Sequence, residues 1–167
     1  MKTNLIWSLF VILVFSISVF FFIRNTTTDF SQENSETPQI TQKAPSIEFV
    51  KIGGQNIKVD VALTPKEHSN GLSGRPSLRS DEGLLFIFDT PGKYSFWMRD
   101  MNFAIDMIWI GEDMGVVYIK KNATPESYPD AYQPGENDKN AKYVLEVVSG
   151  FSDKNNLKIG DQVLFTY

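Results

Sequence analysis

The sequence contains no cysteine, one histidine (His68) and no glycine before Gly53. Without cysteine there is no disulfide framework, no thiolate zinc site and no thiol nucleophile. A single histidine excludes poly-His metal centres and leaves little room for histidine-based proton transfer. Positive charge is also short, with Lys+Arg 16 against Asp+Glu 20 and a formal net charge of -4. That balance argues against a broadly cationic nucleic-acid binder, so no nucleic-acid partner is expected. What is present is unevenly placed: all 11 glycines lie at or after Gly53, whereas five of the 13 phenylalanines fall within the first 22 residues.

The phenylalanine-rich end reads as a membrane segment. Leu5 to Ile23 are 19 consecutive uncharged residues, broken only by Ser8, Ser16 and Ser18. As a helix they would span roughly 28 Å, close to the hydrocarbon thickness of a bilayer. Lys2 precedes the run, Arg24 follows it, and the next charges (Asp29, Glu33, Glu36) are acidic, which places the N-terminus in the cytoplasm by a small margin. The run ends Phe20-Phe21-Phe22-Ile23-Arg24 without a small-residue cleavage pattern, so residues 1–23 are expected to be an uncleaved signal-anchor rather than a removed signal peptide. Cleavage would instead give a secreted or periplasmic protein. Residues 24–46 hold 13 Ser, Thr, Asn or Gln in 23 positions, too little apolar surface to offset chain entropy, and are expected to be a flexible polar linker.

Residues 47–167 are 121 residues, enough for one core, and carry 13 basic and 17 acidic side chains. Glu48–Lys51 and Gln55–Ala62 are β-rich runs around Gly53-Gly54, a hairpin signal. Thr64-Pro65-Lys66-Glu67 reads as an N-cap, a first-turn proline and a capping-box glutamate, opening a short helix that ends near Gly71. Further strands are predicted at Leu84–Phe88, Tyr94–Met98, Met107–Ile110, Gly115–Lys120, Tyr143–Val148 and Gln162–Tyr167, with a second short helix within Gly150–Asn156. Many short strands and few helices predict a mainly β (α+β) fold: a compact barrel-like or sandwich domain with one or two short helices, preceded by a single transmembrane helix.

Several strings in this domain are distinctive: Gly71-Leu72-Ser73-Gly74-Arg75, Asp81-Glu82-Gly83-Leu84-Leu85-Phe86, Phe96-Trp97-Met98-Arg99-Asp100-Met101, Ile105-Asp106-Met107-Ile108-Trp109-Ile110, Tyr143-Val144-Leu145-Glu146-Val147 and Gly160-Asp161. In order and spacing they resemble the DUF192 (UPF0127) family over nearly all of residues 55–165. The resemblance implies a compact, largely β domain, often behind a signal or anchor segment, and implies no activity. Two positions depart from the family's pattern: Val148 stands where an Asn is expected, and Asp100 where an Asn is usual.

Asp106 interrupts the apolar run Phe103–Ile110, where an ionised carboxylate is costly unless paired or hydrogen-bonded. It is either an acid, base or ligand contact, or a buried structural carboxylate bonded to backbone N–H groups or to Arg75 or Arg99. Arg75, in a Gly-x-x-Gly-Arg turn, and Arg99, at a strand end, are candidate clamps for an anionic ligand or internal partners of Asp106, Glu82 or Glu146. Phe86, Phe96, Trp97 and Trp109 read as core, and His68 as a surface residue. Glu146 alternates with Leu145 and Val147, which predicts exposure to solvent. The long loop 122–136 sets Tyr128 and Tyr132 between prolines, suited to a sugar or peptide contact or simply solvated.

No complete catalytic constellation, EF-hand or cofactor motif is visible, and no metal or cofactor is expected. The expected function is therefore a membrane-tethered extracytoplasmic binding or accessory module for a small ligand, glycan or envelope protein. The alternative is a carboxylate-dependent hydrolase or lyase acting on an envelope glycan, with Asp106 paired to Glu82 or Asp100 across one cleft.

Overall fold

The computed structural model describes residues 47–167, so the anchor expected over 1–23 and the linker expected over 24–46 lie outside the described residues. Among the described residues no helix is long and apolar enough to cross a membrane. The chain runs β1 (Phe49–Ile52), β2 (Gln55–Ala62), α1 (Pro65–Asn70), β3 (Glu82–Gly92), β4 (Phe96–Trp97), β5 (Ile105–Ile110), β6 (Val116–Ala123), a 3-10 turn (Pro125–Ser127), β7 (Ala131–Tyr132), β8 (Ala141–Val148), α2 (Phe151–Lys154) and β9 (Leu164–Thr166). Seven strands form one sheet in the order β6-β5-β8-β3-β2-β1-β9, and β4 pairs with β7 in a separate ribbon.

Local chemistry accounts for the entry into this sheet. Gly53 and Gly54 have φ of 56° and 75°, the positive values a two-residue hairpin turn requires, and they set Ile52 opposite Gln55. Thr64 Oγ1 accepts from Glu67 N at 3.3 Å while the Glu67 carboxylate accepts from Thr64 N at 2.8 Å, completing the capping box that starts α1. The same carboxylate accepts from Leu63 N, and these backbone bonds hold its pKa below the usual glutamate range. The segment from Leu63 to Asp81, including α1, is the crossover that lets β3 run parallel to β2, with Asp60 opposite Leu84.

The sheet curls into a half-barrel. Its ends approach through Val116 N donating to Asp161 O at 2.9 Å and Val163 N to Met114 O at 2.9 Å, beside the isolated bridge Gly115–Gln162. The inner face carries Val50, Ile52, Ile57, Leu85, Ile108, Leu145 and Val147. The outer face is also covered: Leu84, Phe86, Met107, Trp109 and Val144 pack beneath Leu72, Leu78 and Met98. A sheet buried on both faces explains why all six residues of β5 are buried. It also means that alternation along a strand sorts the inner core from the outer core, not core from solvent.

Candidate functional site

Register decides which carboxylates can meet. Asp106 lies opposite Val147, and Val147 opposite Gly83, so all three share the inner face. Glu146 lies opposite Met107 and Leu84, one step along, and therefore faces the outer core. Glu82 is one residue before Gly83 and also faces away from Asp106.

Asp106 is fully buried. Its Oδ1 accepts from Asn122 N at 2.9 Å and Gly150 N at 3.3 Å, and its Oδ2 accepts from Ser152 N at 2.8 Å. The side chain thus ties β6 and the start of α2 to β5, satisfying donors that would otherwise be stranded. Neither arginine touches it: the Arg75 guanidinium pairs with Asp60 at 2.7 Å, and Arg99 lies 3.8 Å from Asp100. Glu82 is taken up by Arg79 at 3.6 Å. Asp100 is exposed on a turn with φ of 57°, a backbone region Asn and Asp tolerate better than most residues. Asp106, Glu82 and Asp100 therefore do not face a common cleft, and the two-carboxylate arrangement of the glycan-cleaving alternative is not formed.

Glu146 is the residue that sequence patterning misread. It is buried, not exposed, with 4% relative exposure, and its Oε2 has no hydrogen-bond partner. Burial pushes its carboxyl up to about 8, against the lowering influence of the nearby Arg75 charge. It carries a proton at neutral pH. Its signal was the same as that of Asp106, an acidic residue inside an apolar run.

Glu146 forms part of the wall of a cavity of about 210 Å³ between the outer face of the sheet, the end of α1 and the approach to β4. The remaining wall is aromatic and polar, with His68, Ser69 and Ser73 on one side and Phe88, Tyr94, Phe96 and Trp97 on the other. Phe88 and Tyr94 stack at 3.4 Å between ring centroids, and Phe96 meets Phe86 edge-on at 4.8 Å. His68 is half-buried, with its ring 4.6 Å from that of Phe88. Its Nε2 lies 3.0 Å from the Ala62 carbonyl, which can only accept, so Nε2 donates to it. Trp97 is not core: it is 45% exposed at the mouth, with the Arg99 guanidinium 6.0 Å from its ring.

Gly71 closes the cavity roof. Its φ is +50°, and a Cβ there would sit 3.5 Å from Phe86 Cζ and 4.0 Å from Glu146 Oε2. A side chain at this position would be both strained and aimed at the carboxyl group. The neighbouring turn is tied down by Ser73 Oγ donating to Arg99 O at 2.8 Å and by Asn102 Nδ2 donating to Arg75 O at 2.9 Å.

The tyrosine loop divides. Tyr132 enters β7, pairs with Phe96 and lies 4.3 Å from the Lys120 ammonium, whereas Tyr128 is 50% exposed and outside the cavity wall. Val148 lines a different depression, with Ser149 and Lys154, so its departure from the family's Asn leaves the Glu146 cavity unchanged. Among the described residues no three His, Cys, Asp or Glu side chains gather as metal ligands.

No curated protein matches the chain by sequence. Two crystal structures are similar in fold and sequence. One is a protein of unknown function from Novosphingobium aromaticivorans, 27% identical, with TM-score 0.65, covering 74% of this chain and 89% of that one. The other is a protein from Sinorhizobium meliloti described as a candidate transcription regulator, 26% identical, with TM-score 0.64, covering 72% of this chain and 94% of that one. The DUF192 family, described as an uncharacterized ACR, matches residues 48–165, so the strings of residues singled out in the sequence and the half-barrel they build have one source: the chain belongs to the DUF192 family.

Proposed function

We propose that the domain is a binding module that takes a small ligand into the cavity beneath α1, with Glu146 as its polar anchor and Trp97 at its mouth. One observation carries this reading: a buried carboxyl group whose Oε2 has no partner borders an aromatic-walled cavity. Leaving a buried polar atom unpaired costs about 1–3 kcal/mol, a cost that a ligand hydrogen bond would remove once the carboxyl group turned toward the cavity. Arrangements of one convergent polar group among aromatic side chains are the usual chemistry of small-ligand sites. Among the described residues Asp106 shares no cleft with Glu82 or Asp100, which favours binding over hydrolysis by that pair.

The same reading extends to the N-terminal segment. Residues 5–23 would tether the module to the membrane, and the polar linker 24–46 would let it range outside the cytoplasm. Support for this comes from the uncharged run and its flanking charges alone.

The test is native mass spectrometry and thermal shift on the full-length protein extracted in detergent, against its Glu146→Gln variant. A small molecule that co-purifies with the first and is lost from the second supports the proposal. Identical, ligand-independent behaviour of both across sugars, amines, amino acids and short peptides would overturn it. For the tether, resistance of the protein to carbonate extraction is expected; release into the soluble fraction would refute it.

A further inference from the structure

The charges around the Glu146 cavity point to the class of ligand. Its wall contains no Lys or Arg. The titratable and charged groups around Glu146 are His68 on α1, Tyr94 before β4, Arg75, which stands outside the wall and is paired to Asp60 of β2 at 2.7 Å, and, at the mouth, Arg99, 6.0 Å from the Trp97 ring. His68 already spends its Nε2 hydrogen on the Ala62 carbonyl. Residues His68 to Asn70, at the end of the six-residue α1, and its cap Gly71 roof the cavity. Opposite them stand the aromatic side chains Phe88, Tyr94, Phe96 and Trp97, a residue type that attracts cations, with Arg99 already 6.0 Å from the Trp97 ring. Aromatic rings and short polar side chains thus surround a carboxyl group whose cavity wall supplies no Lys or Arg, the Arg75 charge acting on it from outside the wall.

We propose that this cavity recognises a cationic nitrogen, a protonated amine on a small ring or chain, held by the Glu146 carboxylate and the aromatic wall. The inference rests on the cavity being a ligand site, and it specifies what that site takes. An anion would face the carboxyl group with no Lys or Arg in the cavity wall to compensate it. A neutral polyol would fit the hydrogen-bonding groups but would leave the aromatic and electrostatic bias unused.

Binding is coupled to a proton. Below the raised value of about 8, the free protein holds Glu146 as the neutral acid. When an ammonium enters, Glu146 gives its proton to solvent and becomes the carboxylate that faces the ammonium. One proton is released and no covalent bond to the ligand changes. Affinity for a cation should therefore rise about tenfold per pH unit as pH increases toward that value, then level off. A neutral ligand that accepts a hydrogen bond from the protonated acid should show the opposite trend.

The experiment compares two probes of nearly identical shape, trans-4-aminocyclohexanol and cyclohexane-1,4-diol, by calorimetric titration of the full-length protein in detergent. The amine is expected to bind at least about tenfold more tightly than the diol near pH 8, with the predicted rise below it. Calorimetry in buffers of different ionisation enthalpy should record release of up to one proton. Glu146→Gln should cost the amine about tenfold or more and abolish the pH slope. Trp97→Ala, at a position 45% exposed, should weaken the amine by a smaller factor of about 2–5. Equal binding of the two probes, or amine binding that keeps its affinity in Glu146→Gln, would overturn the cation inference. If the diol binds and Glu146→Gln abolishes that binding, the cavity remains a ligand site and only the cation is wrong. If no probe or library ligand responds to Glu146→Gln, both readings fall.

Discussion

Asp106 and Glu146 are acidic residues on neighbouring strands, one register step apart, and both are buried. Their surroundings have little else in common. Asp106 faces the inside of the half-barrel and accepts three backbone N–H groups from two other segments. Glu146 faces the outer core, has an oxygen with no partner, and borders a cavity. One carboxylate is used up holding the fold together, whereas the other is left unsatisfied by it. Burial of an acidic side chain is therefore not by itself a mark of function; what separates the two is the inventory of hydrogen bonds that reach them.

The largest effect is expected of Asp106→Ala. Three N–H donors would lose their acceptor, at about 1–3 kcal/mol each, so the thermal midpoint should fall by more than about 10 °C. Asp106→Asn should fall between the two, because its amide still accepts on one side but turns an N–H toward a donor on the other. A midpoint for Asp106→Ala close to that of the parent would refute the structural role assigned here.

Glu146→Gln should behave in the opposite way. The parent's carboxyl sits near 8 when folded against 4.5 as its ordinary value, so the folded state holds a proton that the unfolded chain has lost. Between those two values the parent should lose stability as pH rises, and below 4.5 and above about 8 the dependence from this group should vanish. Glu146→Gln should remove that decline and match or exceed the parent's stability near pH 8. Denaturant midpoints measured across this range will check it, and an unchanged slope in the variant would refute it.

Thr64→Ala tests whether the roof of the cavity depends on the capping box. A loss of about 1 kcal/mol is expected, read from denaturant midpoints, with hydrogen exchange speeding up first over residues 65–71. The smallest effect on folding is expected of Arg75→Met, since its partly exposed pair with Asp60 contributes at most about 1 kcal/mol. Because Arg75 is the charge that lowers the Glu146 value, its loss should move the stability-versus-pH profile of the parent toward higher pH. A profile that stays in place would mean the two groups do not interact.

Several elements were legible from short-range chemistry. The hairpin at Gly53-Gly54, the full extent of Gln55–Ala62 and the capping box at Thr64 each follow from residues within a few positions of one another. The mainly β class and the two short helices follow from strand and turn density. β7 was not legible, since Ala131–Tyr132 has a strand's conformation only because Phe96–Trp97 lies alongside to pair with it. Trp97 and His68 were assigned to core and surface respectively on residue type, and each turns out to form part of the cavity wall.

The case of Glu146 shows the limit most clearly. Alternation with Leu145 and Val147 correctly put it on the face opposite to theirs, but that face is covered by α1, β4 and their connections rather than by water. Period-two patterning reports which side of a strand a residue occupies, and the packing of a distant segment decides what lies on that side. By itself the sequence determined the strands, the caps and turns, the family, and the restriction of any chemistry to carboxylates, arginines and aromatics. Tertiary structure alone decided which acid is spent on the backbone and which is left free, because hydrogen bonds to Asp106 arrive from residues 16 to 46 positions away and the cavity around Glu146 is assembled from three separate stretches of chain.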